Sequence, residues 1–136
     1  MSRLAAHTVD VEGLTTHMYE GGDPARETVI FLHDGTYGSD ALLAFGSVAE
    51  AMATDYHVVA PDLLGWGGSA KVHHFDRSPY EPRIAHLAGL LRELGIAAAH
   101  FVGNSFGGSL ILRAGSGVGG GLPISTATAH WRVVRS

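Results

Sequence analysis

Residues 97–114 read AAAHFVGNSFGGSLILRA. A short apolar run, Ala97 to Val102, gives way to Gly103-Asn104-Ser105-Phe106-Gly107-Gly108, and helix-compatible residues resume with Leu110, Ile111, Leu112 and Ala114. That order is strand, sharp turn, helix, with a serine at the apex. Gly-x-Ser-x-Gly between a strand and a helix is the pattern of a nucleophile elbow. Holding a serine hydroxyl clear of a sheet forces the backbone at Ser105 into a strained conformation. Side chains two residues to either side would collide with strand and helix, and Gly103 and Gly107 have none. The same turn sets the Phe106 N–H at a helix N-terminus, where it faces any anion forming beside Ser105. As a bare pattern the motif also fits a flexible Gly/Ser turn. The apolar strand before it and the helix after it favour the elbow.

The chain upstream alternates in the same way. Leu4–Val11 and Leu14–Tyr19, separated by Glu12-Gly13, read as a β-hairpin. Thr28–Leu32 is a continuous apolar run, the mark of a strand buried on both faces of a parallel sheet. Ala41–Ala53 places Leu42, Phe45, Val48, Ala49 and Met52 on one helical face. His57–Ala60 is a second buried strand closed by Pro61, and Tyr80–Leu94 is the strongest helix, with Ile84, Leu87, Leu91 and Leu94 at helical spacing. Pro82 suits its first turn and Gly95 its C-cap. Strands alternating with helices, each crossover long enough for parallel pairing, predict an α/β fold: a three-layer α/β/α sandwich on a mostly parallel sheet that opens with an antiparallel hairpin.

Composition bounds the function. At 136 residues the chain is one domain at most, and 46% hydrophobic content permits a folded core. A net charge of −4 with nine Lys+Arg gives no nucleic-acid footprint, and the absence of cysteine excludes disulfide and thiolate chemistry. No run nears the roughly 18 apolar residues that span a bilayer, and MSRLAAHTVDVEG lacks the apolar centre of a secretory signal, so a cytoplasmic protein is expected. No metal is expected: His73 and His74 are adjacent and cannot face one site, and no H-x-x-x-H occurs. The phosphate-cradling G-x-x-x-x-G-K-[ST] is missing, and no cofactor is expected.

The loop His33–Asp40, HDGTYGSD, follows the Thr28–Leu32 strand directly. Active-site loops of open α/β sheets gather at strand C-terminal ends. If that strand neighbours the elbow strand, the Gly35 N–H is a candidate second oxyanion donor; the alternative is an ordinary strand–helix connection. Gly65-Trp66-Gly67-Gly68 reads as a tight structural loop rather than a ligand site.

FLHDGTYG, then VVAPDLLGWGGS, then FVGNSFGG, in this order and spacing, resemble the N-terminal half of α/β-hydrolases over about Leu4–Ala114. GNSFGG with APDLLGWGGS looks most like the meta-cleavage product hydrolases, which break a carbon–carbon bond in vinylogous diketones. The resemblance implies a strand order 1-2-4-3-5. It also implies Ser105 as nucleophile, and Phe106 and Gly35 as oxyanion donors acting on a small-molecule carbonyl substrate. Asp34 departs from the glycine usual after the histidine, and a carboxylate near an oxyanion hole opposes anion stabilisation unless it points away.

Such a family supplies its acid and its histidine after the nucleophile. Here the last carboxylate is Glu93, and His130 is the only histidine after Ser105, with Asp34 or Asp62 as upstream carboxylates that could orient it. Eight glycines lie from Gly103 to Gly121. Residues 1–114 therefore read as the N-terminal half of a hydrolase domain and 115–136 as a glycine-rich tail, either an extra strand or disordered. The chain looks truncated, and whether it is itself an enzyme stays open. Three readings follow: a serine hydrolase through Ser105, incomplete as an isolated chain; a non-catalytic half-domain; or a half-sheet that associates with another chain, or with its own copy, through an exposed strand edge.

Overall fold

The computed structural model describes residues 2–71, 78–115 and 121–130. The His73-His74 pair, most of the polar stretch before Tyr80, residues 116–120 of the glycine-rich segment and residues 131–136 lie outside the described residues. Element order is β1 (Leu4–Val11), β2 (Leu14–Gly21), β3 (Thr28–Leu32), α1 (Ala41–Met52), β4 (His57–Pro61), α2 (Tyr80–Leu94), β5 (Ala99–Asn104), α3 (Phe106–Gly115) and β6 (Ile124–His130).

The strands form one sheet in the order β1-β2-β4-β3-β5-β6. The first five follow the order the sequence resemblance implies, and β6 extends the sheet beyond β5. β1, β2 and β4 pair antiparallel; β4, β3, β5 and β6 pair parallel. The hairpin turn puts both Glu12 (φ 51°) and Gly13 (φ 84°) at positive φ, the primed geometry that matches strand twist. The Asp10 carboxylate accepts the Gly13 N–H at 2.7 Å and closes it.

Period-two alternation sorts the central strands onto two cores. Val29, Phe31, Val58 and Ala60 pack with α1 through Ala41, Phe45, Ala49 and Met52. Ile30, Leu32, Val59 and Phe101 face the other way, onto α2 and α3 through Ile84, Leu87, Leu91, Leu110 and Ile111. This is the three-layer arrangement. One expectation is corrected. Leu42 and Val48 are about half exposed, at 48% and 51%. They flank the buried stripe of α1 rather than forming it, because the small residues Ala41 and Ala49 are what let the helix close on the sheet. Asp40 caps α1 by accepting the Leu43 N–H at 2.8 Å, and α2 ends at Gly95 with φ 70°.

α2 also buries a histidine. His86 faces the Thr16 hydroxyl of β2 at 2.7 Å. Burial pulls its pKa from 6.5 to about 4, against the opposing charge of Glu12. Between those values the unfolded chain binds a proton at this side chain that the folded chain refuses. Stability therefore falls as pH drops through that window, and this residue leaves it unchanged above the window. Burial lowers the His33 pKa too, and so acts in the same direction. Thermal melts followed by circular dichroism should show Tm falling from pH 7 to pH 4.5, with a distinctly shallower fall in His86→Gln. An identical slope in that variant would show that His86 does not carry the dependence.

Candidate active site

β3 and β5 are parallel neighbours in the register Leu32↔Gly103. The residues that follow each strand, His33-Asp34-Gly35 and Asn104-Ser105-Phe106, therefore emerge side by side at the C-terminal edge of the sheet. Ser105 sits between β5 and α3 with φ 53°. That value is rare for a residue with a Cβ and signals strain held by its surroundings. The surroundings are two bare backbones. A Cβ built on Gly103 would stand 2.6 Å from the Gly107 carbonyl carbon, and one on Gly107 would stand 2.1 Å from the Leu32 carbonyl oxygen. The first turn of α3 thus crosses the ends of β3 and β5 at a distance that no side chain tolerates. Ser105 is exposed at the crest.

Phe106 opens α3, and the N–H groups of a helix's first turn have no partner within the helix. Gly35 lies against it: a Cβ on Gly35 would sit 3.1 Å from the Phe106 Cβ and 3.6 Å from the Trp66 ring. The fold so gathers Ser105, Phe106 and Gly35, the three candidate residues of the sequence, from two separate loops. Trp66 ties in a third loop, donating its indole N–H to the Thr36 carbonyl at 3.2 Å. Its ring lies 5.5 Å from that of Phe106, and the Arg83 guanidinium lies 5.0 Å over it. Arg83 itself is pinned to the Leu64 carbonyl at 3.0 Å.

Two buried groups lock these loops: sequence pattern suggests no role for His33, and for Asp62 only that of a carboxylate that could orient His130. Asp62 is 1% exposed. Its carboxylate accepts the Ala41 N–H at 2.9 Å, the Gly68 N–H at 3.0 Å and the His17 ring at 2.8 Å. One side chain thus joins the α1 N-terminus, the DLLGWGG loop and β2. Gly67 completes the fit, since a Cβ there would stand 2.3 Å from the carboxylate. His33 is fully buried, and its Nε2 accepts the Leu63 N–H at 2.9 Å. Nδ1 therefore carries the proton and donates to the Asp34 carbonyl at 2.6 Å. Burial keeps the ring neutral, outweighing the Asp34 carbonyl bond and nearby carboxylates. With both nitrogens engaged, His33 has no lone pair left to act as a base. The sequence signal for both was the polar residue that ends an apolar strand run.

His130 returns closer than the glycine-rich segment suggested. β6 pairs with β5 so that His130 faces Asn104, and the His130 carbonyl accepts the Ser105 N–H at 2.6 Å. Asp62, committed to His17 and two amides, is not free to orient the His130 ring. Among the described residues no three metal-ligating side chains converge, and no helix is long and apolar enough to cross a membrane.

The sequence profile of the alpha/beta hydrolase family matches residues 29–135. The chain belongs to that family. It is 33% identical over 100 residues to a 2-hydroxy-6-oxo-2,4-heptadienoate hydrolase of Pseudomonas putida, covering 74% of this chain and 35% of that protein. It is 30% identical over 107 residues to epoxide hydrolase A of Mycobacterium tuberculosis, covering 78% and 32%. The chain thus spans about a third of the length of these relatives. The structure of 2-hydroxy-6-oxo-6-phenylhexa-2,4-dienoate hydrolase from Rhodococcus sp. strain RHA1 superposes with a TM-score of 0.79 at 24% identity, over 95% of this chain and 46% of that one, and shares the fold.

The crossing of α3 over β3 is open to a direct check. Gly107→Ala should lower the free energy of unfolding by about 3 kcal/mol or abolish folding, because the clash is with backbone that cannot step aside. Gly115→Ala, whose Cβ meets nothing within 4 Å, should shift it by less than about 1 kcal/mol. Urea denaturation of the two variants should separate them clearly.

Proposed function

We propose that this chain carries the nucleophile side of a serine hydrolase site acting on a small carbonyl compound, an ester or the carbon–carbon bond of a vinylogous diketone. Ser105 attacks the carbonyl carbon, and the N–H groups of Phe106 and Gly35 receive the oxyanion that forms. The observation that carries the reading is the positive φ of Ser105, held by side-chain-free backbone at Gly103 and Gly107. A strained serine exposed at a helix N-terminus has little structural use, whereas a nucleophile needs that exposure and that field. The carbon–carbon hydrolase among the relatives supports the diketone substrate, and the epoxide hydrolase keeps other electrophiles in view. The chemistry as proposed uses no metal or cofactor.

Serine is a weak nucleophile without a base, and the base needs a partner that fixes its tautomer. No Asp or Glu follows Ser105 in the sequence. His33 is spent on two backbone hydrogen bonds, which leaves His130 as the candidate downstream of Ser105 in the sequence. Turnover by this chain is therefore slow. Purified protein should release a burst of p-nitrophenol from an activated acetate ester, close to one equivalent, and then turn over weakly. Ser105→Ala should lose the burst, and a burst that survives in that variant defeats the reading. His130→Ala should lower kcat/KM by less than 100-fold. A larger fall would identify His130 as a working base.

The outer side of the sheet favours a second reading, association through β6. That strand has no partner on its far edge among the described residues. A cleft of about 640 Å³ beside it is lined by Ile111, Leu112, Ala114, Leu122 and Ile124. A protomer mass in sedimentation at all concentrations counts against association; a mass rising with concentration supports it.

A further inference from the structure

The loop after β3 holds a negative charge next in sequence to Gly35, the candidate oxyanion donor. Asp34 lies between His33, locked under the site, and Gly35, which packs on Phe106. Its carboxylate accepts the Thr36 hydroxyl at 2.7 Å and, through the other oxygen, the Ser39 hydroxyl. Partial burial raises its pKa. The hydroxyl bonds from Ser39 and Thr36 outweigh that and hold it below the usual aspartate value. Among the described residues no cation is paired with it. The Lys71 ammonium is held by the Gly67 and Ser69 carbonyls, and Arg83 by those of Leu64 and Pro79. Each carboxylate oxygen keeps room for a further donor. Asp40 and Asp62, on the neighbouring segments, add charge of the same sign.

Asp34 opens onto a cleft of about 220 Å³. Asn104, the residue before Ser105, also lines it, together with Tyr37, Ser39 and Leu43. Tyr37 and Leu43 are exposed, offering hydrocarbon with nothing on it. A carboxylate and exposed hydrocarbon lining one cleft suit a small molecule that carries a donor cation on a hydrocarbon body.

We propose that this cleft is a subsite for an alkyl- or arylammonium group, gripped by the Asp34 carboxylate, with the hydrocarbon against Leu43 and Tyr37. The cleft then favours an acyl compound that places a cation in it over a neutral one and disfavours a carboxylate placed there, so a dienoate of the kind named for the Pseudomonas putida relative would have to keep its carboxylate outside this cleft. Its use in catalysis rests on Ser105 being the nucleophile; its binding does not. A carboxylate in the substrate would be desolvated against a fixed like charge, and an ammonium would be paired with it.

Binding is read first, without chemistry. Benzylammonium, benzyl alcohol and benzoate are titrated into ¹⁵N-labelled protein at pH 8. Benzylammonium should shift the amides of residues 34–39 and 104. Benzyl alcohol should bind about tenfold more weakly and benzoate not at all. Asp34→Asn should erase the preference for the cation, and added salt should weaken benzylammonium binding to wild type. Equal binding of the three probes, shifts elsewhere, or an unchanged preference in Asp34→Asn overturns the subsite. If that variant does not fold, the wild-type probe series and its salt dependence decide. The second arm compares p-nitrophenyl esters of 6-aminohexanoate, hexanoate and adipate, with kcat/KM expected to fall in that order by about tenfold per step. Benzylammonium binding in the cleft with no Ser105-dependent ester cleavage keeps the subsite and sinks the hydrolase reading. Ester cleavage at equal rates, without benzylammonium binding, does the reverse.

Discussion

The contact on which the rest depends is the passage of α3 over the ends of β3 and β5. Gly107 rides on the Leu32 carbonyl and Gly103 on the Gly107 backbone, at separations that exclude any Cβ. Once the helix is that close, the chain between Asn104 and Phe106 has too little room for an ordinary turn, and Ser105 takes up the strain. The benefit is positional. The serine is held by backbone packing rather than by its own side chain, and its hydroxyl is left free for other work. The same approach sets Gly35 against Phe106, because β3 and β5 are neighbours and the loops that leave them share one edge.

Loops that converge on a crest need anchoring from below. Asp62 and His33 do this with polar groups buried where only full hydrogen bonding makes burial tolerable. Asp62 gathers the α1 N-terminus, the glycine-rich loop and β2. His33 clips the Leu63 N–H to its own loop. The indole of Trp66 and the guanidinium of Arg83 add a stacked layer against Phe106. The crest is thus a rigid ledge, with Asp34, Tyr37, Leu43 and Asn104 along the cleft at its rim.

Much of the fold was readable from local pattern. Thr28–Leu32 and His57–Ala60 declare themselves as unbroken apolar runs, and α2 by its spacing and its capping glycine. The elbow was legible because its strain demands glycine at fixed offsets. What pattern could not supply was distance. β6 follows a glycine-rich segment with no periodicity, so its pairing with β5 and the arrival of His130 at Ser105 are visible only in three dimensions. Asp62 carries no motif that reveals three partners from three elements. In α1 the apolar stripe was drawn through Leu42 and Val48, since helical spacing counts hydrophobic residues and does not see that alanines allow the closer approach.

The strand order has a consequence for how the chain comes into being. β3 lies in the middle of the sheet, yet both of its neighbours, β4 and β5, follow it in sequence. The hairpin of β1 and β2 can close as soon as it is made. Thr28–Leu32 must wait, first for His57–Pro61 and then for Ala99–Asn104, a parallel pairing across a long loop that forms slowly. During synthesis, five uncharged, β-prone residues stand with both edges open, a segment of the kind that recruits other chains. Arg26 and Glu27 before it and Asp34 just after it are charges placed where they discourage such recruitment. On this account Asp34, a wall of the cleft in the finished protein, also guards the nascent strand.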